Sequence, residues 1–97
     1  MTFRNDLNEH IRLSILIELS KNSGYRSNES VLQGVVERYG LTCSRDCMRT
    51  QINWLAEQGL VTVEDLGIMV PTLTQRGLDV SKGAAGCPGV QRPSPKG

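Results

Sequence analysis

The chain has 97 residues, of which 38% are apolar and 22% charged, with four aromatic residues and a net charge of +1. That length supports one small domain rather than two, with little surplus stability. The near-neutral balance excludes a strongly basic surface, so binding to a polyanion would have to rest on where the charges sit.

The first segment, from about Asp6 to Ser20, reads as a helix opened by a capping-box-like Asp6 and Glu9. Leu7, Ile11, Ile15 and Leu19 recur every four residues, while Leu13 and Ile17 fall on nearly the opposite side. An ordinary surface helix has one apolar face. Two stripes imply a helix that is either central to the fold or shared with a second subunit, and a homodimer through residues 6–20 is one expectation.

Lys21 to Asn28 is a Ser/Asn-rich loop, and a second helix follows it, capped by Ser27 or Asn28. Val31, Leu32, Val35, Val36 and Tyr39 form its apolar pattern, and Gly40 stands at the stop, where positive φ is needed. A third helix, Ser44 to Gln58, carries Met48, Ile52 and Leu55 as its inward stripe, flanked by Cys47, and stops at Gly59. Two helices joined by about four residues with a glycine in the turn form a helix-turn-helix pattern.

Leu60-Val61-Thr62-Val63 and Ile68-Met69-Val70-Pro71-Thr72-Leu73 flank a turn at residues 64–67 and read as a hairpin. Pro71 cannot donate to a ladder, so the second strand is expected at an edge or ending there. Thr74 can cap a short last helix through about Lys82. Gly, Pro, Ser and Lys dominate from Gly83 onward, which reads as a mobile tail over 83–97 after a single domain over 1–82.

The fold class is therefore mainly α with a small β-hairpin: a three-helix core, a two-stranded wing and a short C-terminal helix. Ile52-Asn53-Trp54-Leu55-Ala56-Glu57-Gln58-Gly59-Leu60-Val61 resembles the junction between recognition helix and wing in the MarR, ArsR and PadR groups of bacterial regulators. Leu73-Thr74-Gln75-Arg76-Gly77-Leu78 resembles the "L-T-x-x-G" that closes the wing in the MarR and PadR groups. The resemblance spans about residues 6 to 82 and implies a winged helix-turn-helix that binds DNA. The short chain with its Gly-Val-Gln-Arg-Pro-Ser-Pro ending is also similar to small winged-helix proteins carried by Mu-like prophages.

In that setting Arg45, Arg49 and Asn53, four residues apart on one face of the third helix, suit base reading in a major groove. Ser44, Thr50 and the free amides at the helix start suit phosphate contacts, and Arg38 and Arg76 are candidates for flanking phosphates. The plain alternative is a solvated face. Asp46 in the first turn and the acidic Glu64-Asp65 at the wing tip weigh against DNA. They fit a second reading, a phage-associated protein-interaction module with a protein partner and no DNA.

Trp54 is expected to pack beneath the wing or against a partner. Cys43 and Cys47 lie adjacent on one helical face, but a closed zinc site wants four ligands. The ArsR group's paired-cysteine sensor motif is missing, and no cofactor is implied. Cys47 reads as a small core residue. With one His and no phosphate loop or nucleophile motif, catalysis is not expected. No stretch approaches the roughly 20 apolar residues of a membrane span, and Met1-Thr2-Phe3-Arg4 lacks signal-peptide features. Three irregularly spaced cysteines make a poor disulfide framework. The expectation is a cytoplasmic protein with reduced thiols.

Overall fold

The computed structural model describes residues 3–94. The element order is α1 (Phe3–Lys21), a 3-10 turn (Ser23–Tyr25), α2 (Glu29–Arg38), α3 (Arg45–Glu57), β1 (Val61–Asp65), β2 (Met69–Leu73) and α4 (Gln75–Ser81). Among the described residues this makes a mainly helical protein of four α-helices and one antiparallel hairpin.

α1 begins three residues earlier than its sequence start signal, so Asp6 lies in the first turn rather than at a cap. Ile11, Ile15, Leu16 and Leu19 are fully buried, and Leu13 from the second stripe is nearly so. α1 packs against α2, α3, β2 and α4. Leu13 joins the same core as Val80 of α4 and Cys87 and Val90 beyond it. Both stripes are thus covered within one chain, and α1 needs no second subunit to bury them. This corrects the reason for expecting a dimer through residues 6–20.

α2 is capped by Asn28, whose side chain accepts hydrogen bonds from the amides of Ser30 and Val31. Its apolar pattern is wider than its buried face: Leu32, Val35 and Val36 are buried, whereas Val31 and Tyr39 are half-exposed. A stripe spanning i, i+1, i+4, i+5 and i+8 covers more arc than the single packed side can take. Gly40, at φ 80°, closes the helix, with its amide on the Glu37 carbonyl and the Leu41 amide on that of Val36. This paired 5→2 and 6→1 arrangement requires a left-handed residue.

α3 uses Ser44 as its cap, through Oγ to the Cys47 amide, and closes in the same way at Gly59 (φ 77°). Met48, Ile52 and Leu55 point into the core with no exposed surface. Each such Leu or Ile contributes on the order of 1.5–3 kcal/mol by leaving water.

In the hairpin, Val61 pairs with Leu73 and Asp65 with Met69, so β1 extends two residues further than its β-branched run. β2 alternates strictly, with Met69, Pro71 and Leu73 inward. Among the described residues the sheet has two strands, so β2 lies at an edge as Pro71 implies, and its outer side carries one isolated bridge. Arg26 forms a bridge with Thr72, and the Ser27 amide donates to the Pro71 carbonyl at 3.2 Å, on the side away from β1. A strand residue's N–H and C=O point the same way. The donor that Pro71 lacks therefore faces this one-residue bridge, and the β1 ladder loses nothing.

The two motif segments meet at the start of α4. The Thr74 hydroxyl accepts from the Gly77 amide and donates to the Gly59 carbonyl, and the Thr74 amide donates to the Leu60 carbonyl. α4 lies so close that a Cβ on Gly77 would overlap the Leu60 carbonyl oxygen and come within 2.7 Å of Leu73 Cδ1. Close backbone approach explains the glycine in Leu73-Thr74-Gln75-Arg76-Gly77.

The first part of the segment read as a mobile tail, through Gln91, is packed on the domain. Cys87 and Val90 are buried, the Gln91 amide donates to the Glu9 carbonyl, and Gly89 lies against the Trp54 ring. The packed unit therefore runs beyond residue 82. Residues 1–2 and 95–97, the ends of the 1–82 and 83–97 readings, lie outside the described residues.

Candidate nucleic-acid interface

The surface built by the start of α2, the start of α3 and the hairpin centres on Glu29. It is the first residue of α2, where a carboxylate complements the helix dipole. It also shares a helical face with Leu32 and Val36, three and seven residues on, so its side chain is carried inward and keeps only 2% exposure. Glu29 accepts from the Met69 amide at 2.6 Å and from Arg49 Nε at 2.9 and 3.1 Å, with Arg45 Nη1 at 3.8 Å. One carboxylate thus ties together α2, α3 and β2.

The Arg49 hydrogen bond, joined by the Met69 amide and the charges of Arg49 and Arg45, outweighs burial and holds the Glu29 carboxyl below the usual glutamate range. Arg49 is correspondingly held further in its charged form, first by the Glu29 hydrogen bond and then by its charge; Asp65 and Asp46 add to this.

Sequence reasoning missed Glu29 altogether. The signal was available in its spacing to Leu32 and Val36, but an acid at a helix start reads first as a dipole partner on the surface.

The arginine pair is consequently not a simple solvated face. Arg49 Nε carries the bonds to Glu29, and Arg45 Nε donates to Gln33 Oε1 at 3.0 Å. The terminal Nη groups of Arg49 take no part in its hydrogen bonds to Glu29. The two side chains remain 41% and 48% exposed. A guanidinium fixed at Nε keeps its outer fork in one orientation, which lowers the rotamer entropy lost on a bidentate contact.

Ser44, Thr50 and Asn53 are exposed on the same helix. Arg38 is exposed at the far end of α2, nine residues or about 13 Å along the axis from Glu29. Arg76 is exposed on α4, which packs on α1 and β2. α3 and its cap carry Ser44, Arg45, Arg49, Thr50 and Asn53, with Asn53 in the second half of the helix, and Arg38 and Arg76 sit on other elements.

Acids ring this surface. Glu64, Asp65 and Asp46 are exposed, and Glu64 pairs with Arg26 at 3.2 Å. Both side chains of that pair are more than half exposed, so it contributes little to stability. At the tip, Asp65 Oδ1 accepts from the Gly67 amide and Leu66 is exposed.

Trp54 does not lie beneath the wing. It lies under Gly89, with the Arg12 guanidinium 3.9 Å above the ring centroid. Arg12 also donates to Gln51 Oε1 and to the Gly89 carbonyl, and burial lowers its pKa. Cys43 and Cys47 form a disulfide, against the expectation of reduced thiols. Their Cα atoms are 5.3 Å apart, because one precedes the cap Ser44 and the other lies a turn into α3. Spacing placed the two side by side; the odd cysteine count and the expected compartment argued for thiols. Among the described residues no cluster of three or more His, Cys, Asp or Glu is placed to hold a metal, and no helix is long and apolar enough to cross a membrane.

Fold and site together define a small, mainly helical protein whose hairpin stands beside an arginine-bearing helix. Its sequence is 46% identical over 93 residues to "Uncharacterized protein gp26" of Escherichia phage Mu, covering 95% of this chain and 97% of that protein. It is 40% identical over 98 residues to an uncharacterized protein of Haemophilus influenzae, covering 99% and 95% respectively. The chain belongs to the family of the phage Mu gp26 protein. No family model and no solved structure matches it.

Proposed function

We propose that this protein is a winged-helix, non-enzymatic DNA-binding protein that acts in the cytoplasm of a phage-carrying cell, with α3 entering the major groove. The order of three helices, hairpin and short helix supports the fold. The observation that carries the function is the fixing of Arg45 and Arg49 at Nε by Gln33 and Glu29. The outer fork of Arg49 is then left for a contact one turn from Asn53, while Arg45 turns one Nη toward Glu29; arginine and asparagine are the residue types that pair with guanine and adenine.

Regulation of transcription from a specific site is the role that fits such a reader. Selection from random duplex DNA tests it: wild type enriches a defined sequence, and the Arg45→Ala/Arg49→Ala variant enriches none. Failure of the wild type to retain any duplex at low salt would remove the proposal.

A second reading, a protein-interaction module on the same fold, is favoured by the exposed Asp46, Glu64 and Asp65 around the arginines and by exposed Leu66 at the wing tip. These groups repel phosphate and suit a basic protein surface. Retention of no DNA in the same selection supports this reading.

A further inference from the structure

We infer that the Cys43–Cys47 pair is a thiol–disulfide switch that sets the position of Arg45 on the α3 surface. The inference rests on the DNA-binding reading for its functional consequence, though not for its structural one.

The bond closes a loop of only five residues, Cys43 to Cys47. Cross-links that close such short loops remove little entropy from the unfolded chain and so add little global stability. Its consequence is local. Cys43 lies in the turn between α2 and α3, just before the cap, and Cys47 supplies the amide that Ser44 Oγ caps. The disulfide therefore ties the turn to the first turn of α3.

A single side chain carries that constraint to the arginine. Gln33 Nε2 donates to the Cys43 carbonyl at 3.1 Å, and Gln33 Oε1 accepts from Arg45 Nε at 3.0 Å. With Cys43 fixed, the amide of Gln33 is held by one end and Arg45 is held by the other. With Cys43 released, the Gln33 amide loses its anchor and Arg45 keeps only the longer 3.8 Å pairing to Glu29.

The chemistry is an exchange with a dithiol reductant. Cys47 is half-buried and Cys43 is 3% exposed, so a reductant thiolate reaches Cys47 Sγ. The new bond joins the reductant sulfur to Cys47. The Cys43–Cys47 bond breaks, and its electron pair leaves on Cys43 Sγ, which takes up a proton. The reductant's second thiolate then attacks its own bound sulfur and expels Cys47 as a thiolate, which is protonated in turn. Two electrons and two protons pass to the protein, and the dithiol leaves as a cyclic disulfide. Cys87 is buried in the core and takes no part.

The test uses the full chain in air-oxidised and dithiothreitol-reduced forms, with thiols counted by alkylation after denaturation. One alkylated cysteine in the oxidised form and three in the reduced form are expected. Affinity for the duplex obtained by selection should fall roughly tenfold on reduction, the scale of one bidentate arginine contact. Cys47→Ser should bind like the reduced form in both conditions, Gln33→Ala should abolish the difference, and Cys87→Ser should preserve it.

Equal affinity in both states, or three alkylated cysteines after oxidation, overturns the inference. If neither state binds any duplex, the DNA reading fails by itself, and amide exchange across residues 41–49 with the Gln33 side-chain NMR signals decides the switch. A change on reduction then upholds it, and identical exchange and signals overturn it.

Discussion

Replacing Glu29 with glutamine alters almost no volume and isolates what the buried carboxylate contributes. Two oxygens now accept from Met69 N and Arg49 Nε, with Arg45 nearby. A carboxamide with its oxygen in the Oε2 place keeps the Met69 amide but turns its NH2, in the Oε1 place, toward Arg49 Nε and Arg45 Nη1 and removes the charge that both arginines face. Losing a hydrogen bond to a charged group costs about 1–3 kcal/mol. For a domain of this size that lowers Tm by roughly 5–20 °C.

The effect must also depend on pH. The folded carboxyl lies below its ordinary value, first because of the Arg49 hydrogen bond. Its stabilisation is complete above the ordinary value of about 4.3 and is lost as pH falls through the folded one. Wild type and Glu29→Gln should therefore differ fully at pH 7 and converge well below pH 4, because protonated Glu29 then resembles the amide. Thermal unfolding followed by circular dichroism from pH 7 to 2.5 measures this. A variant as stable as wild type at pH 7, or a difference that does not shrink in acid, would refute the reasoning.

Two glycines should respond in opposite directions to alanine. Gly77→Ala gains helix propensity but drives a Cβ into the Leu60 carbonyl, and urea unfolding should show a net loss of about 1–3 kcal/mol. Gly34→Ala, mid-helix in α2 with nothing within 4 Å of the new Cβ, should gain about 0.5–1 kcal/mol in the same assay. Deleting residues 84–97 removes Cys87 and Val90 from the core and uncovers Trp54. Stability should fall by about 1–3 kcal/mol net of the chain entropy regained, with tryptophan emission shifted to the red.

Much of the fold is legible because local signals agree with packing. Gly40 and Gly59 end helices as their positions imply, and Thr74 caps α4 while tying it to the end of α3. Met48, Ile52 and Leu55 point inward as their spacing requires. The tail is misread because partners distant in sequence decide it, whereas the disulfide joins residues only four apart.

Residues 84–94 look like a linker because they hold few apolar side chains. Yet Cys87 and Val90 suffice to cover a surface that α1, α4 and Trp54 already provide. Pro71 reads rightly as an edge residue, and only the tertiary structure places the Arg26–Ser27 segment on its donor-free side. The site was half legible: spacing placed Arg45, Arg49 and Asn53 on one face, and only tertiary structure places Glu29 and Gln33 behind the arginines.

The most direct measurement is fluorescence anisotropy of the selected duplex and a scrambled one, titrated with wild type and with Arg45→Ala/Arg49→Ala over a salt series. Wild type should prefer the selected sequence and weaken as salt rises, since phosphate contacts release counterions. The double variant should lose roughly five- to 150-fold in affinity for the selected duplex, and with it the preference. Wild-type binding that ignores both sequence and salt, or a variant that keeps the preference, would contradict the role assigned to α3.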